Sequence, residues 1–352
     1  MTRTTDLIAM HENTTASELR ALFARTRLPV MAAPMFLVSS PELVIASAHA
    51  GIVGTYAAPN ARDIAALDKA LGAIAAGVKR GGTAPWALNM IVHSSYDRFD
   101  AELDLVLRYQ PRIVTTALGS PLRVLKHVHG YGGFVMADVA TPTMARKAAD
   151  AGVDGLILVC AGAGGHTGTY HPFSFVDEVR KFWDGPLGLA GAISSGAHVR
   201  AAQQIGADFA VLGTRFIAAE ESMAQPAYRE LLVESGMEDL AASRAVSGVL
   251  ANWLRPTLER AGISAEQLGE DKKIDFSGDI STAPKAWKDV WSAGHGVGAV
   301  REIEPLSAIV DRLAQEYAGS LSVERQVIAR LAEQVQGWKV ADVSATDEGA
   351  LQ

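Results

Sequence analysis

The stretch Asp154-Gly-Leu-Ile-Leu-Val-Cys160-Ala-Gly-Ala-Gly-Gly-His166-Thr-Gly-Thr-Tyr170 runs from an apolar strand into a turn with four glycines around one histidine. Glycine lets backbone N–H groups come close to a ligand and reaches positive φ without steric cost. A histidine on such a turn can face a ligand unobstructed, and its ordinary pKa suits proton transfer near neutrality. Alone, the segment reads as well as a flexible linker carrying a solvated histidine. The chain on either side of it decides.

Short apolar segments recur at 29–35, 51–56, 86–90, 112–117, 133–138, 154–160, 186–190 and 208–212. Amphipathic helical patterns separate them at 41–50, 61–79, 98–109, 121–130, 142–151, 173–183 and 197–206, several with Ser, Thr or Pro at the start. Strands alternating with helices imply parallel βαβ units, and eight of them in succession predict an α/β fold, a (β/α)8 TIM barrel. An open doubly wound sheet competes, but no Gly-x-Gly-x-x-Gly follows the first strand.

The strand rhythm stops after Arg215. Helices are expected at 226–235, 238–247 and 256–261, followed by a charged run at 269–278. The organisation read from this is an N-terminal arm (1–24, with a short helix at 18–24), the barrel (25–219) and a mostly helical inserted subdomain over the active site (220–295). A closing barrel helix at 304–317 and a C-terminal helix at 323–335 fall within 296–338. A polar tail (339–352) is expected to be disordered.

The chain has 352 residues, 49% hydrophobic and 20% charged, which suits one large domain with an insertion. A net charge of −7 without a basic run argues against a nucleic-acid partner. No stretch approaches the ~18 apolar residues of a membrane span, so no membrane partner is expected. The single cysteine, Cys160, excludes an intrachain disulfide and fits a reducing cytoplasm; it reads as a small buried hydrophobe. The histidines show no metal-ligand spacing, so no metal is expected, and His127 and His129 read as solvated at a helix end.

On a barrel the functional loops follow the strands. Here those positions hold Ala33-Pro34-Met35, Asn89, Thr116-Ala117, Asp138, the Gly164-Gly165-His166 turn, Gly191-Ala192 and Gly213-Thr214. The last two pairs follow the seventh and eighth strands, where barrels commonly cradle a phosphate on backbone N–H groups and a helix N-terminus. Ordinary strand-to-helix turns use the same small residues. A phosphate-bearing organic cofactor beside one histidine is the chemistry these positions suggest.

The segments 33–35, 163–168, 190–196 and 206–216, with Gly-Gly-His and Gly-Thr-Arg-Phe in order, resemble the nitronate monooxygenase (2-nitropropane dioxygenase) family. Trp291-Ser292-Ala293-Gly294-His295-Gly296 is similar to the Ser-Ala-Gly segment that ends the family's inserted domain. The resemblance implies a flavoprotein with FMN, acting with O2 on a small-molecule nitronate or nitroalkane. It implies that His166 is catalytic, deprotonating a nitroalkane or orienting a nitronate. Gly164 and Gly165 would donate to the flavin edge, and Gly191, Ala192, Gly213 and Thr214 would hold the phosphate. Ala33, Pro34 and Met35 would line the ring, with Asn89 at its pyrimidine side. Three positions depart from the pattern. Ala192 stands where a second glycine is usual. Asp138 replaces a Lys or other polar group, and is expected to face the ribityl hydroxyls. His295 replaces Gln or Met, and with Ser292 becomes a candidate substrate contact or a polar residue of the lid. NADH:quinone reductases and flavin-dependent enoyl-thioester reductases share these loops and remain alternatives. A non-redox barrel for a phosphorylated metabolite is a third, although no strand end supplies a Schiff-base lysine. Exposed barrel helices leave a homodimer open.

Overall fold

The structure, a computed structural model, describes residues 15–264, 268 and 287–334. The N-terminal residues 1–14, the charged run at 269–278 and the polar tail lie outside the described residues.

Eight strands form one closed ring: β1 (Val30–Ala32), β2 (Val53–Ala57), β3 (Trp86–Ile91), β4 (Ile113–Ala117), β5 (Phe134–Val139), β6 (Gly155–Val159), β8 (Leu187–Ala190) and β9 (Phe209–Leu212). The two-residue β7 (Gly165–His166) lies outside it. Every neighbouring pair is parallel, and β1 seals the ring against β9 with Val30 opposite Ala210 and Ala32 opposite Leu212. The barrel expected from the rhythm of the sequence is the fold of this chain.

A helix over 15–24 precedes the barrel and is called α1. Between the strands run α2 (Pro41–Ala50), α3 (Ile64–Lys79), α4 (Phe99–Tyr109), α5 (Leu122–Gly130), α6 (Pro142–Asp150), α7 (Pro172–Arg180) and α8 (Gly196–Gln204). Local chemistry starts several of them. The side chains of Ser40, Thr141 and Ser195 accept from the N–H groups of Leu43, Met144 and His198, satisfying donors that the helix itself leaves open.

Strand side chains alternate between two interiors. Met31, Val53, Ala87, Ile113, Phe134, Met136, Ile157, Phe209 and Val211 point into the barrel, where Leu19 and Phe23 of α1 join them. Phe23 stacks on Phe209 with ring centroids 3.8 Å apart. Gly188 makes room for this, since a Cβ there would lie 2.5 Å from the Phe209 ring. The intervening residues, such as Leu88, Val114, Val135 and Leu156, pack beneath the helices. The N-terminal end of the barrel is therefore a plugged apolar core. Toward the C-terminal end the same inward positions turn polar, at Thr55, Asn89, Thr115 and Asp138.

Beyond β9 come α9 (Thr214–Ile217), α10 (Pro226–Glu234), β10 (Leu240–Ser243), β11 (Ala251–Leu254) and α11 (Arg255–Arg260), and then α12 (Leu306–Gln334), which packs against α8 and α2. No described helix is long and apolar enough to cross a membrane. Three expectations change. The helix expected at 238–247 is a 3-10 turn and strand β10, because antiparallel pairing with β11 and burial beside Trp253 override the helix propensity of Leu-Ala-Ala. The two helices expected at 304–317 and 323–335 are one continuous helix through Gly319; Arg200 of α8 holds Glu324 at 2.8 Å and carries the far half along. His129 is not merely solvated: its Nε2 meets Asp154 Oδ2 at 2.8 Å, which raises its pKa.

Candidate active site at the mouth of the barrel

The glycine-rich turn is a built strand. β7 pairs antiparallel with β11, with His166 opposite Ala251 and Gly165 opposite Asn252. Thr167 N–H donates to the Leu250 carbonyl at 3.0 Å, and the Ala161 N–H donates to Tyr170 at 2.9 Å. Asn252 Nδ2 donates to the Ala163 carbonyl at 2.8 Å. The Thr167 hydroxyl donates to Cys160 at 3.2 Å. The segment after β9 thus joins the glycine-rich loop in one small sheet, β10-β11-β7.

His166 keeps an exposed face, while its ring meets Trp287 edge-on at 5.5 Å, and Trp287 in turn leans on Trp253 at 4.5 Å. The protein crowding the imidazole penalises its charged form and pushes its pKa down to about 4. His166 is therefore neutral at physiological pH.

Close backbone approach gathers the other turns. A Cβ on Gly164 would lie 2.7 Å from Gly294 N and 3.0 Å from the Thr214 hydroxyl, so glycine is required for the β6 loop to sit this close. Thr214 Oγ1 accepts from Gly294 N–H at 2.8 Å, which leaves its own proton to donate elsewhere. The turn after β8 bends through Gly191 (φ 130°) and Ala192 (φ 56°). Ala192 adopts the left-handed region despite its Cβ, and its N–H is directed to Gly162 O at 3.3 Å. It was expected as a phosphate donor; here that N–H already has an acceptor. The Gly196 N–H at the start of α8 is likewise taken, by the Glu316 carboxylate at 2.8 Å.

Gly213 opens toward the first loop, with a Cβ there meeting Ala33 Cβ at 3.5 Å and Met35 Sδ at 3.6 Å. Ala33, Met35 and Gly213 are thus neighbours, and Pro34 lies between the first two in the chain. Asn60 fixes this loop, donating to Met35 O at 3.0 Å and accepting from Leu37 N–H at 2.8 Å. Below it, Asn89 Nδ2 donates to Thr115 Oγ1 at 2.9 Å. Asp138 stands inward on β5, its pKa pushed up to about 7 by burial.

The two residues read as substrate contacts separate. Ser292 bridges to Trp253, and its Oγ lies 3.8 Å from where a Gly165 Cβ would stand, beside His166. His295 lies instead against Gly162, its Nδ1 2.9 Å from the corresponding Cβ position, which the Ala192 methyl also approaches at 3.3 Å. It sits on the turn after β8. Cys160 is buried with its thiol pushed up to about 12, as a small core residue.

Asn60, Asn252 and Trp287 were not found in the sequence, and neither was the role of Arg215. In Gly-Thr-Arg-Phe the arginine is buried and pairs with Glu304 at 3.3 Å, tying α9 to the start of α12.

The model of the family described as nitronate monooxygenase matches residues 17–316. The chain belongs to that family. It is an oxidoreductase. A nitronate monooxygenase of Paraburkholderia phytofirmans is 26% identical over 85% of this chain and 94% of its own length. A 5-hydroxy-7a-methyl-1-oxo-octahydro-1H-indene-4-carboxyl-CoA dehydrogenase of Rhodococcus jostii is 28% identical over 66% of this chain and 65% of that protein. Among solved structures, the nitroalkane oxidase of Streptomyces ansochromogenes superposes with a TM-score of 0.74 at 24% identity, covering 86% of this chain and 99% of that one.

Proposed function

We propose that this family member is an FMN-dependent oxidoreductase that converts alkyl nitronates, with O2 as electron acceptor, to carbonyl compounds and nitrite. The observation that carries the reading is His166, a neutral imidazole held on a two-residue strand at the barrel mouth, beside a loop that glycine alone lets approach Thr214.

The residues fit FMN. Gly191, Gly213 and Thr214 follow the last two barrel strands, and α9 is the short extra helix that accompanies phosphate sites in such barrels. We assign them to the phosphate, with Ala192 shaping the turn. Ala33, Pro34 and Met35 would back the ring, Asn89 would serve its pyrimidine, and Gly164 and Gly165 its edge. Flavin supplies the electron-accepting chemistry when bound.

The side chain of His166 chooses the substrate form. Taking a proton from a neutral nitroalkane would create an imidazolium in surroundings that penalise it, with no partner charge. A nitronate brings its own negative charge and can accept the imidazole N–H. His166 therefore suits orienting a nitronate better than deprotonating a nitroalkane. Trp287 and Trp253 limit water on that side. We place the enzyme in the cytoplasm, in keeping with its one buried free thiol.

A second reading on the same loops is a reductase taking hydride from NADH for a quinone or thioester acceptor. Anaerobic mixing of the FMN-loaded protein with propyl nitronate, and separately with NADH, separates the two. Bleaching of the flavin absorbance by nitronate alone supports the monooxygenase; bleaching by NADH alone moves the chain to the reductases.

A further inference from the structure

Asp138 is an unexplained carboxyl in the floor of the site. Residues 134 and 136 of β5 belong to the barrel interior, so the period of two carries 138 inward above them. It shares the mouth with Thr55, whose buried hydroxyl has no partner among the described residues, and with the Asn89–Thr115 pair. No hydrogen bond or ion pair engages its carboxyl among the described residues. The β4 register, Thr115 opposite Met136 and Thr116 opposite Ala137, carries Ala117 beside it, and β6 sets Ile157 opposite it; neither titrates. The helices packed on β5 carry Arg123, Lys126, His127 and His129 on α5 and Arg146, Lys147 and Asp150 on α6, all behind the sheet on the Val135, Ala137 and Val139 side. His166, on β7, and His295, against Gly162, are the histidines that the site brings to the mouth.

We propose that Asp138 meets the bound flavin as a neutral carboxylic acid, donating one hydrogen bond to it, and that ionisation of this acid loosens the cofactor. The inference rests on the FMN reading above. A carboxyl without a cation or a hydrogen-bond donor beside it favours its uncharged form, and desolvation by the surrounding protein raises this one to about 7. A protonated carboxyl is a donor; a carboxylate can only accept, and it would add a negative charge near an anionic cofactor. The departure from a Lys or other polar group at this position thereby becomes compatible with flavin. The sign follows: below about pH 7 the donor is present, and as pH rises through that value it is lost.

The test compares FMN retention by the loaded full chain and by Asp138→Asn, reading the fluorescence of FMN released on dilution from pH 6 to 9. Asparagine keeps a donor and cannot ionise. Wild-type affinity should fall, relative to the variant, by about tenfold per pH unit above 7. Ionisation of the FMN phosphate and of His166 is common to both proteins and cancels in the ratio. A constant ratio with tight FMN in both proteins overturns the Asp138 inference and leaves the flavin reading standing. Failure of both folded proteins to hold FMN at any pH overturns the flavin reading, and the inference with it. Should the Asn variant not fold, Asp138→Ser supplies a non-ionising donor for the same ratio. Infrared spectra should also show a protonated carboxylic acid at pH 6 that is absent from the variant, and its absence from the wild type counts against the inference.

Discussion

Asn252 Nδ2 and the Ala163 carbonyl, 89 positions apart in the chain, meet at 2.8 Å and fasten the insertion to the loop that carries His166. The bond runs beside the two pairs of the β11–β7 ladder, so few interactions hold β7. Asn252→Ala should leave that carbonyl short of a donor at a cost of about 1–3 kcal/mol. Its larger effect should fall on geometry, lowering turnover about ten- to hundredfold while FMN is retained. Hydrogen exchange at Gly165–His166 should quicken; unchanged exchange and turnover would show that the ladder alone suffices.

His166→Ala should keep FMN and lose about 10²–10⁴-fold in kcat/KM on propyl nitronate. The wild-type profile carries a second signature. Since the protein crowding the imidazole holds the His166 pKa down to about 4, the neutral form persists well below its ordinary titration range. Activity attributable to it should fall only as pH drops toward 4, and a fall centred on ordinary histidine values would place the essential group elsewhere. Stability has the same sign: the unfolded histidine takes a proton near 6.5 and the folded one resists until about 4, so this contribution is full above 6.5 and fades between the two.

The two glycine-bearing turns differ in what they tolerate. At Gly213 an added methyl meets Ala33 and Met35 at ordinary contact distances of 3.5–3.9 Å. Gly213→Ala should therefore fold and hold FMN with modest weakening. Gly213→Asp should fold as well, yet release the cofactor, because it puts a negative charge on the turn to which the phosphate is assigned. Flavin content after gel filtration, with circular dichroism as the folding control, decides. Stoichiometric FMN in Gly213→Asp would move the phosphate away from this turn.

The barrel was legible because its signal is repetitive: eight buried segments with seven helical patterns between them leave little freedom in topology. His166, Gly164 and Thr214 could be singled out because they lie in the loops that follow β6 and β9, and the fold brings Gly164 against Thr214. What the sequence concealed depends on long-range pairing. Leu240–Ser243 has the composition of a helix and becomes a strand only beside Ala251–Leu254. Asn252 and Trp287 acquire meaning only once that sheet brings them to residues 163 and 166. Ala192 could be seen to differ from a glycine pattern, but its left-handed φ of 56° and its bond to Gly162 belong to the folded turn.

Arg215 shows how a motif residue can be structural. Its guanidinium and the Glu304 carboxylate are 3% and 7% exposed, and Arg312 reaches the second Glu304 oxygen at 2.9 Å. Burial lowers the pKa of Arg215, with Glu304 opposing the shift, and Nη1 has no hydrogen-bond partner among the described residues. Such a pair contributes little net stability, yet removing one partner strands a buried charge. Glu304→Ala should destabilise the protein by about 3–5 kcal/mol in urea unfolding. Replacing both partners, as Arg215→Met with Glu304→Leu, should recover most of that loss, since Arg312 is partly exposed and retains Glu302 at 2.9 Å. Because Arg215 follows Thr214 directly, the single variant should also shed FMN more readily than the double. Equal stability in the two variants would instead mean that Glu304 acts through its backbone, which accepts from Glu220 N–H at 3.0 Å, and not through its charge.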